Sequence, residues 1–380
     1  MHLKLKSSVY FLAILLVGVG LFFISQQRTK PKIGSDGNSI RRELTAGNTQ
    51  PLPNQPILSK VSQMSLDEKI GQLLIVGFEH DYADDHIKAM ISKYHIGGVN
   101  LLKRNVKDKT QIKNLIENLQ TISTVPLFIA ADQEGGGASR FNFLEQLTPQ
   151  VKIDGNKQAE KVAFERALEL KGLGINMNFS PVLDYVSDPN SYLYTRTFGA
   201  EVEDIAELGG AMINGYRNGG IIPVAKHFPG YGNLLIDPHT NKASLVISSE
   251  ELEQNLIPFK KVVAGNSAIA IMTAHISIPS LDTKPATLSS KFLDEILRKR
   301  FGFKGVIITD DIEMVSAGNS IEEVAVEAVK AGADMIISTY TPEKQIRIFN
   351  ALKYAVLDGR IQEERIDESV ARILELKSWD

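Results

Sequence analysis

Eight apolar stretches alternate with amphipathic stretches of helical period along residues 57–380. The predicted strands are residues 71–78, 98–102, 126–132, 175–184, 221–228, 268–276, 305–311 and 333–338. The predicted helices include residues 110–122, 157–172, 202–218, 250–264, 289–300, 321–331 and 364–376. Continuously apolar strands that alternate with helices are typical of a parallel sheet covered by helices on both faces. Eight such units predict an α/β fold, a single (β/α)8 barrel of the TIM type, with a doubly wound open sheet as the alternative.

The N-terminal residues follow a different pattern. Lys4 and Lys6 precede sixteen consecutive apolar residues, 9–24, and a polar stretch follows. A cationic flank before an apolar run is typical of an export signal, so residues 1–25 are predicted to be a signal peptide or signal anchor rather than a buried core helix. Because no small-residue cleavage site follows, an uncleaved membrane anchor is favoured over a cleaved signal. Residues 57–380 are therefore expected to be extracytoplasmic, membrane-anchored or secreted.

Residues 26–56 are rich in Pro, Gly, Asn and Thr, which predicts a flexible linker ahead of the barrel. The chain has a net charge of -3, so nothing favours a nucleic-acid partner. It has no cysteine, which excludes disulfides, thiolate catalysis and cysteine metal sites. No histidine cluster has the spacing of a zinc site, and neither a metal nor another cofactor is expected.

Polar residues follow five of the predicted strands at the point where each strand ends. They are Asp132 with Glu134, Asp184, Lys226 with His227, His275, and Asp310 with Asp311. The carboxyl ends of barrel strands meet on one face, and active sites of such barrels lie there. The pattern therefore predicts one shared pocket rather than scattered, solvated strand ends.

Asp310 and Asp311 have two possible roles. A carboxylate at the barrel mouth can act as a nucleophile, a base or a metal ligand. The alternative is a helix N-cap for the segment that begins near Ile312. Adjacent residues of a strand point to opposite faces, so only one of the two is expected to face the pocket.

Asp237 and His239 are two residues apart in a polar loop. A carboxylate that accepts from one imidazole nitrogen fixes the tautomer and makes the other nitrogen a proton carrier. The alternative is a turn in which Asp237 only binds backbone N–H groups. Lys226 and His227 are adjacent, so one of them is expected to face the pocket. The other is expected to reach it only if the chain bends at residues 228–230. As an alternative, Lys226 could pair with a carboxylate beneath the site.

Asp132 is followed by glycines at positions 135–137. Such a turn can bind phosphate, but it lacks the spacing of a phosphate-binding motif, so close backbone approach to Asp132 is the better interpretation. Arg140 and Arg196 are candidate ligand clamps, with an ordinary surface position as the alternative for each.

Several motifs, in order, resemble those of the bacterial β-N-acetylglucosaminidases of glycoside hydrolase family 3, across residues 57–378. They are Met64-Ser-Leu-Asp-Glu-Lys-Ile-Gly-Gln72, Ile96-Gly-Gly-Val99, Asp132-Gln-Glu-Gly-Gly136, Asn178-Phe-Ser-Pro-Val-Leu-Asp184, Arg196-Thr-Phe-Gly199, Lys226-His-Phe-Pro-Gly230, Pro285-Ala-Thr-Leu-Ser289, Gly302-Phe-Lys-Gly305, Asp310-Asp311 and Ala331-Gly-Ala-Asp334.

The resemblance implies a retaining exo-glycosidase that removes non-reducing terminal β-linked N-acetylglucosamine. A monomer is expected. It implies that Asp310 is the nucleophile, and that His239 is the general acid/base with Asp237 as its partner. The sugar-binding residues that it implies are Asp132, Arg140, Arg196, Lys226 and His227. With an extracytoplasmic location, it also implies a carbohydrate substrate from peptidoglycan turnover.

The chain departs from the family pattern at Gly137, Tyr231 and Pro238, none of which is a catalytic position. Two alternatives remain open at this point. The first is a β-glucosidase-type exo-hydrolase of the same family, which the Asp-x-His loop disfavours. The second is a membrane-tethered glycan-binding barrel without turnover, which the intact set of Asp310, Asp237 and His239 disfavours.

Overall fold

The computed structural model describes residues 55–236, 243–265, 267, 269–315 and 320–378. The predicted signal or anchor at 1–25 and residues 26–54 of the linker lie outside these residues, as do Asp237 and His239. Within the described residues, no helix is long and apolar enough to cross a membrane.

Eight parallel strands close into a barrel. They are β1 Leu74–Val76, β2 Gly98–Leu101, β3 Phe128–Ala131, β4 Met177–Asn178, β5 Ile222–Phe228, β6 Ala270–Thr273, β7 Val306–Asp311 and β8 Met335–Ser338. Each strand pairs with the next, and β8 pairs with β1 through partners such as Leu74 and Ile336. The closed sheet confirms the (β/α)8 barrel and rules out the doubly wound alternative.

Helices cover the outside of the barrel. They are α1 Gln55–Gln63, α2 Leu66–Gln72, α3 Asp85–Ser92, α4 Lys109–Ile122, α5 Asn156–Leu173, α6 Val202–Asn218, α7 Ser249–Ala264, α8 Ile312–Val315, α9 Ile321–Ala331, α10 Pro342–Leu357 and α11 Glu363–Lys377, with a π-helix at Lys291–Arg300 between α7 and α8. Each predicted helix corresponds to one of these within two residues at either end. The strands are buried at every residue except the half-buried Asp310, because helices pack on the outer face and side chains fill the interior.

The first predicted strand began too early. Gly71 and Gln72 belong to α2, whose start is fixed by a capping box: the Ser65 side chain accepts from the Glu68 backbone, and Glu68 Oε2 accepts from the Ser65 backbone at 2.8 Å. Residues 70–78 contain Gln72 as their one polar residue, and a single polar residue does not distinguish the end of a helix from the start of a strand.

Small elements are added at the carboxyl ends of the strands. A hairpin of Gln133–Gly135 and Ala138–Ser139 follows β3, and a three-stranded sheet joins Ala243–Ser244, Ile276–Ile278 and Asp282–Pro285. Gly135 has φ 98°, and a Cβ there would lie 2.3 Å from the Thr148 carbonyl oxygen. Only glycine fits this close approach, which turns the hairpin over the barrel mouth.

A second hydrophobic cluster lies apart from the main core. It contains Val186, Leu193, Tyr231, Leu234, Ala243, Ala274 and Ile276. Leu234 and Ala243 belong to the two chain segments that flank residues 237–242. Both flanks are therefore held against the same small cluster at the barrel mouth.

Candidate active site

A cavity of about 530 Å³ opens at the carboxyl ends of the barrel strands. Its ionisable lining residues are Asp132, Glu134, Arg140, Tyr192, Arg196, Lys226, His227, Asp310, Asp311 and Tyr340. The volume lies within the range of about 300–1,000 Å³ that is usual for small-molecule sites. Strands β3, β5 and β7 thus bring their polar ends to one pocket, as predicted.

Lys226 is the centre of the charged wall. It is 1% exposed, and its Nζ donates to Asp132 Oδ1 at 2.7 Å and contacts Glu134 Oε1 at 2.6 Å. Arg140 Nη2 donates to the other oxygen of Asp132 at 2.8 Å. Burial alone would raise the pKa of Asp132, but the charges of Lys226 and Arg140 outweigh it and hold that pKa well below its usual range. Lys226 therefore lines the cavity, and the carboxylates that it pairs with line the cavity too rather than lying beneath the site.

Glu134 completes the wall on the other side of Lys226. Arg196 donates to it from Nε at 2.9 Å and from Nη2 at 2.6 Å. Burial opposes ionisation, yet Arg196 and Lys226 lower the pKa of Glu134 to about 2. Sequence reasoning noted Glu134 only as part of a strand end. The sequence nevertheless held a signal for it. Three of the predicted sugar-binding residues are cations, Arg140, Arg196 and Lys226, but only Asp132 is a carboxylate, and this imbalance of charge indicates a second carboxylate nearby.

Both Lys226 and His227 line the cavity. The register of β5 against β6 shifts at this point, and the chain turns directly afterwards, where the Gly230 backbone donates to the His227 carbonyl oxygen at 2.7 Å. The bend expected at residues 228–230 is therefore present, and both side chains face the pocket.

Asp184 holds His227 from behind the cavity wall. Its Oδ2 lies 2.8 Å from His227 Nδ1 and accepts from the His227 backbone at 2.9 Å, and its Oδ1 accepts from the Tyr231 backbone at 2.7 Å. Because a carboxylate only accepts, Nδ1 carries the proton and Nε2 is left as the acceptor of the ring. Asp184 itself is fully buried and does not line the cavity.

Asp310 and Asp311 also both line the cavity. The Asp311 carboxylate is bonded by the Thr339 hydroxyl, by the Thr339 backbone at 3.1 Å and by the Glu313 backbone at 3.0 Å. Burial raises the pKa of Asp311 to about 7, against these hydrogen bonds. The N-cap alternative therefore describes Asp311, which directly precedes α8. The Asp310 side chain does not have this role, and its Oδ1 accepts from the Asp311 backbone at 2.8 Å.

His275 lies beneath the site rather than in it. Its Nε2 is 2.8 Å from the Asp311 carbonyl oxygen, and its Nδ1 is 2.8 Å from Thr287 Oγ1. Its backbone N–H donates to the Tyr231 hydroxyl at 3.0 Å. Five polar strand ends were predicted to share the pocket. That prediction is wrong for Asp184 and His275, because the turns after β4 and β6 direct these two side chains behind the wall.

Asp237 and His239 lie outside the described residues, so their interactions stay predictions. The flanking Leu234 and Ala243 belong to the cluster that contains Tyr231. The Tyr231 ring contacts the ring of His227 with centroids 5.2 Å apart. Both ends of the segment that holds the predicted dyad are thus attached beside the cavity wall.

Arg140 and Arg196 are not ordinary surface residues, since both line the cavity with most of each side chain buried. Asn100 and Tyr340 line the cavity as well and were missed. Asn100 had a weak signal, because it is a single amide inside an apolar strand. Within the described residues, no group of three or more histidine and carboxylate side chains could hold a metal ion.

Comparison with known proteins gives a consistent relationship. Residues 65–376 match the model of the glycosyl hydrolase family 3 N-terminal domain. A beta-hexosaminidase from Nitrosomonas eutropha is 32% identical over 309 residues, which cover 77% of this chain and 88% of that protein.

Two solved structures have the same fold. A family 3 beta-N-acetylglucosaminidase from Paenibacillus sp. str. FPU-7 is 36% identical with a TM-score of 0.79, over 83% of this chain and 62% of that one. The chain therefore spans less than two thirds of that enzyme's length. A beta-N-acetylhexosaminidase from Beutenbergia cavernae is 26% identical with a TM-score of 0.77, over 83% of this chain and 98% of that one.

Proposed function

The chain belongs to glycosyl hydrolase family 3, and on that premise we propose that it removes non-reducing terminal β-linked N-acetylglucosamine with retention of anomeric configuration. The names of its relatives support this substrate. The observation that carries the proposal is a cavity with Asp310 at the end of β7 and a preformed wall of ion pairs around Lys226. Such a wall offers both charged donors and acceptors to the hydroxyl groups of one sugar.

The proposed mechanism assigns attack to Asp310. Asp311 is buried and its carboxyl pKa is raised, whereas Asp310 is half-buried in the cavity wall, so Asp310 is the better nucleophile of the pair. In the first step an Asp310 oxygen bonds to the anomeric carbon as the glycosidic C–O bond breaks, and His239 gives its proton to the leaving oxygen. In the second step His239 takes a proton from water, which attacks the anomeric carbon and releases Asp310.

The supporting residues have distinct tasks in this scheme. Asp237 accepts from the His239 ring and fixes its tautomer. Asp132, Arg140, Arg196, Lys226 and His227 bind the sugar. We further propose that the substrate is a peptidoglycan fragment met outside the cytoplasm, which rests on the predicted export segment 1–25.

The test measures release of nitrophenol from the β-N-acetylglucosaminide and the β-glucoside by the purified full-length chain. Asp310→Asn and His239→Ala are expected to lower kcat by at least about a thousandfold. Asp188→Asn, which changes a carboxylate in an exposed turn, is the matched control and is expected to keep full activity. A 5-fluoro glycosyl fluoride of N-acetylglucosamine should add its glycosyl mass to the peptide that contains Asp310.

Three results contradict the proposal. An α-configured first product, seen by NMR, would exclude retention. Preference for the β-glucoside would place the chain in the other branch of the family. Binding of N-acetylglucosamine without turnover of either substrate would favour a binding module.

A further inference from the structure

Asn100 occupies an unusual position in the cavity wall. It lies in β2, lines the cavity and is 4% exposed. Among the described residues, its Oδ1 is buried without a hydrogen-bond partner. A buried amide oxygen without a partner loses its hydration and gains nothing in exchange, which destabilises the fold.

Two other buried asparagines of the barrel are hydrogen-bonded through both polar atoms of the side chain. Asn105 Nδ2 donates to the carbonyl oxygens of Phe78 at 3.0 Å and His80 at 2.7 Å, and its Oδ1 accepts from the Leu102 backbone at 2.9 Å. Asn178 is bonded to both backbone groups of Gln133. Asn100 therefore differs from amides of the same barrel that serve the fold, and the difference calls for a partner that is not part of the chain.

The neighbours of Asn100 indicate which partner fits. Asn100 pairs with Ala130 of β3, two residues before Asp132, and Asn100 and Leu102 both line the cavity because alternate side chains of β2 face inward. Arg140 lines the same cavity, and its Nε is also buried without a partner among the described residues, while its Nη2 binds Asp132. This part of the wall therefore leaves a donor and an amide oxygen unused beside a carboxylate.

We infer that Asn100 is a specificity-determining residue that binds a ring hydroxyl of the N-acetylglucosaminyl unit beside Asp132, an inference that rests on the proposed function. A hydroxyl group both donates and accepts, and a carboxamide offers one atom of each kind. An amide held in a strand has a fixed direction, so it reads the position and configuration of that hydroxyl. Asn100 thus contributes to the choice of sugar and takes no part in bond breaking.

The test uses Asn100→Leu, which keeps the approximate volume and removes both polar atoms. Wild type and variant are compared on the nitrophenyl β-N-acetylglucosaminide and on its 3-deoxy, 4-deoxy and 6-deoxy analogues. We expect kcat/KM of the variant to fall about tenfold on the parent sugar. For the one analogue that lacks the contacted hydroxyl, we expect wild type and variant to have the same kcat/KM. An equal loss on all four substrates, or no loss on the parent, overturns the inference.

A stability measurement separates this role from a structural one. Asn100→Leu should raise the Tm of the free protein by roughly 2 °C, because it removes a buried amide oxygen without a partner. Asn105→Leu is the matched control, and it should lower the Tm because three hydrogen bonds are lost. A lower Tm for Asn100→Leu would assign Asn100 to the fold and overturn the inference.

Failure of this inference can be distinguished from failure of the proposed function. If wild type does not cleave the parent sugar, the proposed function fails. If wild type does cleave it and Asn100→Leu behaves as wild type, this inference alone fails.

Discussion

Arg196 and Glu134 form a two-pronged ion pair across the cavity wall, with Nε 2.9 Å from Oε2 and Nη2 2.6 Å from Oε1. Glu134 is 2% exposed and also contacts Lys226. One carboxylate from the hairpin after β3 therefore holds two cations that come from other parts of the barrel. The parallel geometry of two N–H groups on two oxygens fixes the Arg196 side chain as well as its charge.

Glu134→Gln is expected to lower the free energy of unfolding by about 3 kcal/mol, because it leaves Lys226 and Arg196 without a shared counter-charge in a buried place. Denaturant melts at pH 7 measure the change. The matched control is Glu253→Gln, which breaks the exposed pair with Arg300 and should cost less than about 1 kcal/mol. Equal costs for the two variants would contradict the importance of burial at Glu134.

The effect of Glu134→Gln should depend on pH. The pKa of Glu134 is lowered from 4.5 to about 2 in the fold. A lowered carboxyl pKa contributes stability that is fully present above the unfolded pKa and is lost as the pH falls through the folded pKa. The stability difference between wild type and variant should therefore be largest above pH 4.5 and shrink toward pH 2. A difference that stays constant in melts across this range would be incompatible with a lowered pKa.

Asp184→Asn is expected to lower kcat/KM about tenfold to a hundredfold, because His227 loses the acceptor that fixes its tautomer. Nitrogen NMR of the imidazole should show proton occupancy at Nδ1 in wild type and a mixture of tautomers in the variant. Asp188→Asn again serves as the control. Unchanged kinetics with an altered tautomer would show that His227 does not bind the sugar through Nε2.

Asp311→Asn should change stability in the opposite direction with pH. Burial raises the pKa of Asp311 from 3.8 to about 7. A carboxyl group whose pKa is raised in the folded state contributes most to the free energy of unfolding below its pKa in the unfolded chain. This contribution is lost as the pH rises toward its pKa in the folded state. Relative to Asp311→Asn, wild type should lose stability between pH 4 and pH 7, as followed by denaturant melts. The reverse trend would indicate that the hydrogen bonds from Thr339 outweigh burial.

The eight strand–helix units could be predicted because their strands are buried on both faces and are therefore mostly apolar. Closure of the barrel could not be predicted, because it depends on the pairing of β1 with β8. These strands are about 260 residues apart, and their sequences do not indicate the register in which they pair. The boundary between α2 and β1 was misplaced since Ile70 and Leu74 are equally apolar. The π-helix at Lys291–Arg300 has the same amphipathic pattern as an α-helix, so only its position was predictable.

The candidate site was predictable where a polar residue ends an apolar strand, as at Asp132, Lys226 and Asp310. It was not predictable which polar ends turn behind the wall. Asp184 and His275 bond to groups 43 and 36 residues away, respectively, and no local pattern specifies those partners. Glu134 escaped notice for the same reason, since its role depends on two cations distant in the chain.

The sharing of Lys226 between Asp132 and Glu134 has an evolutionary consequence. Loss of Asp132 or of Glu134 would leave Lys226, Arg140 and Arg196 with one carboxylate among them, so a single change at either carboxylate leaves buried positive charge without a partner. Drift toward a different glycoside should therefore begin at the cavity rim. Tyr340 is such a place: its ring is 57% exposed and lies against the Arg104 guanidinium at 5.6 Å, so it can be replaced without disturbing a buried charge.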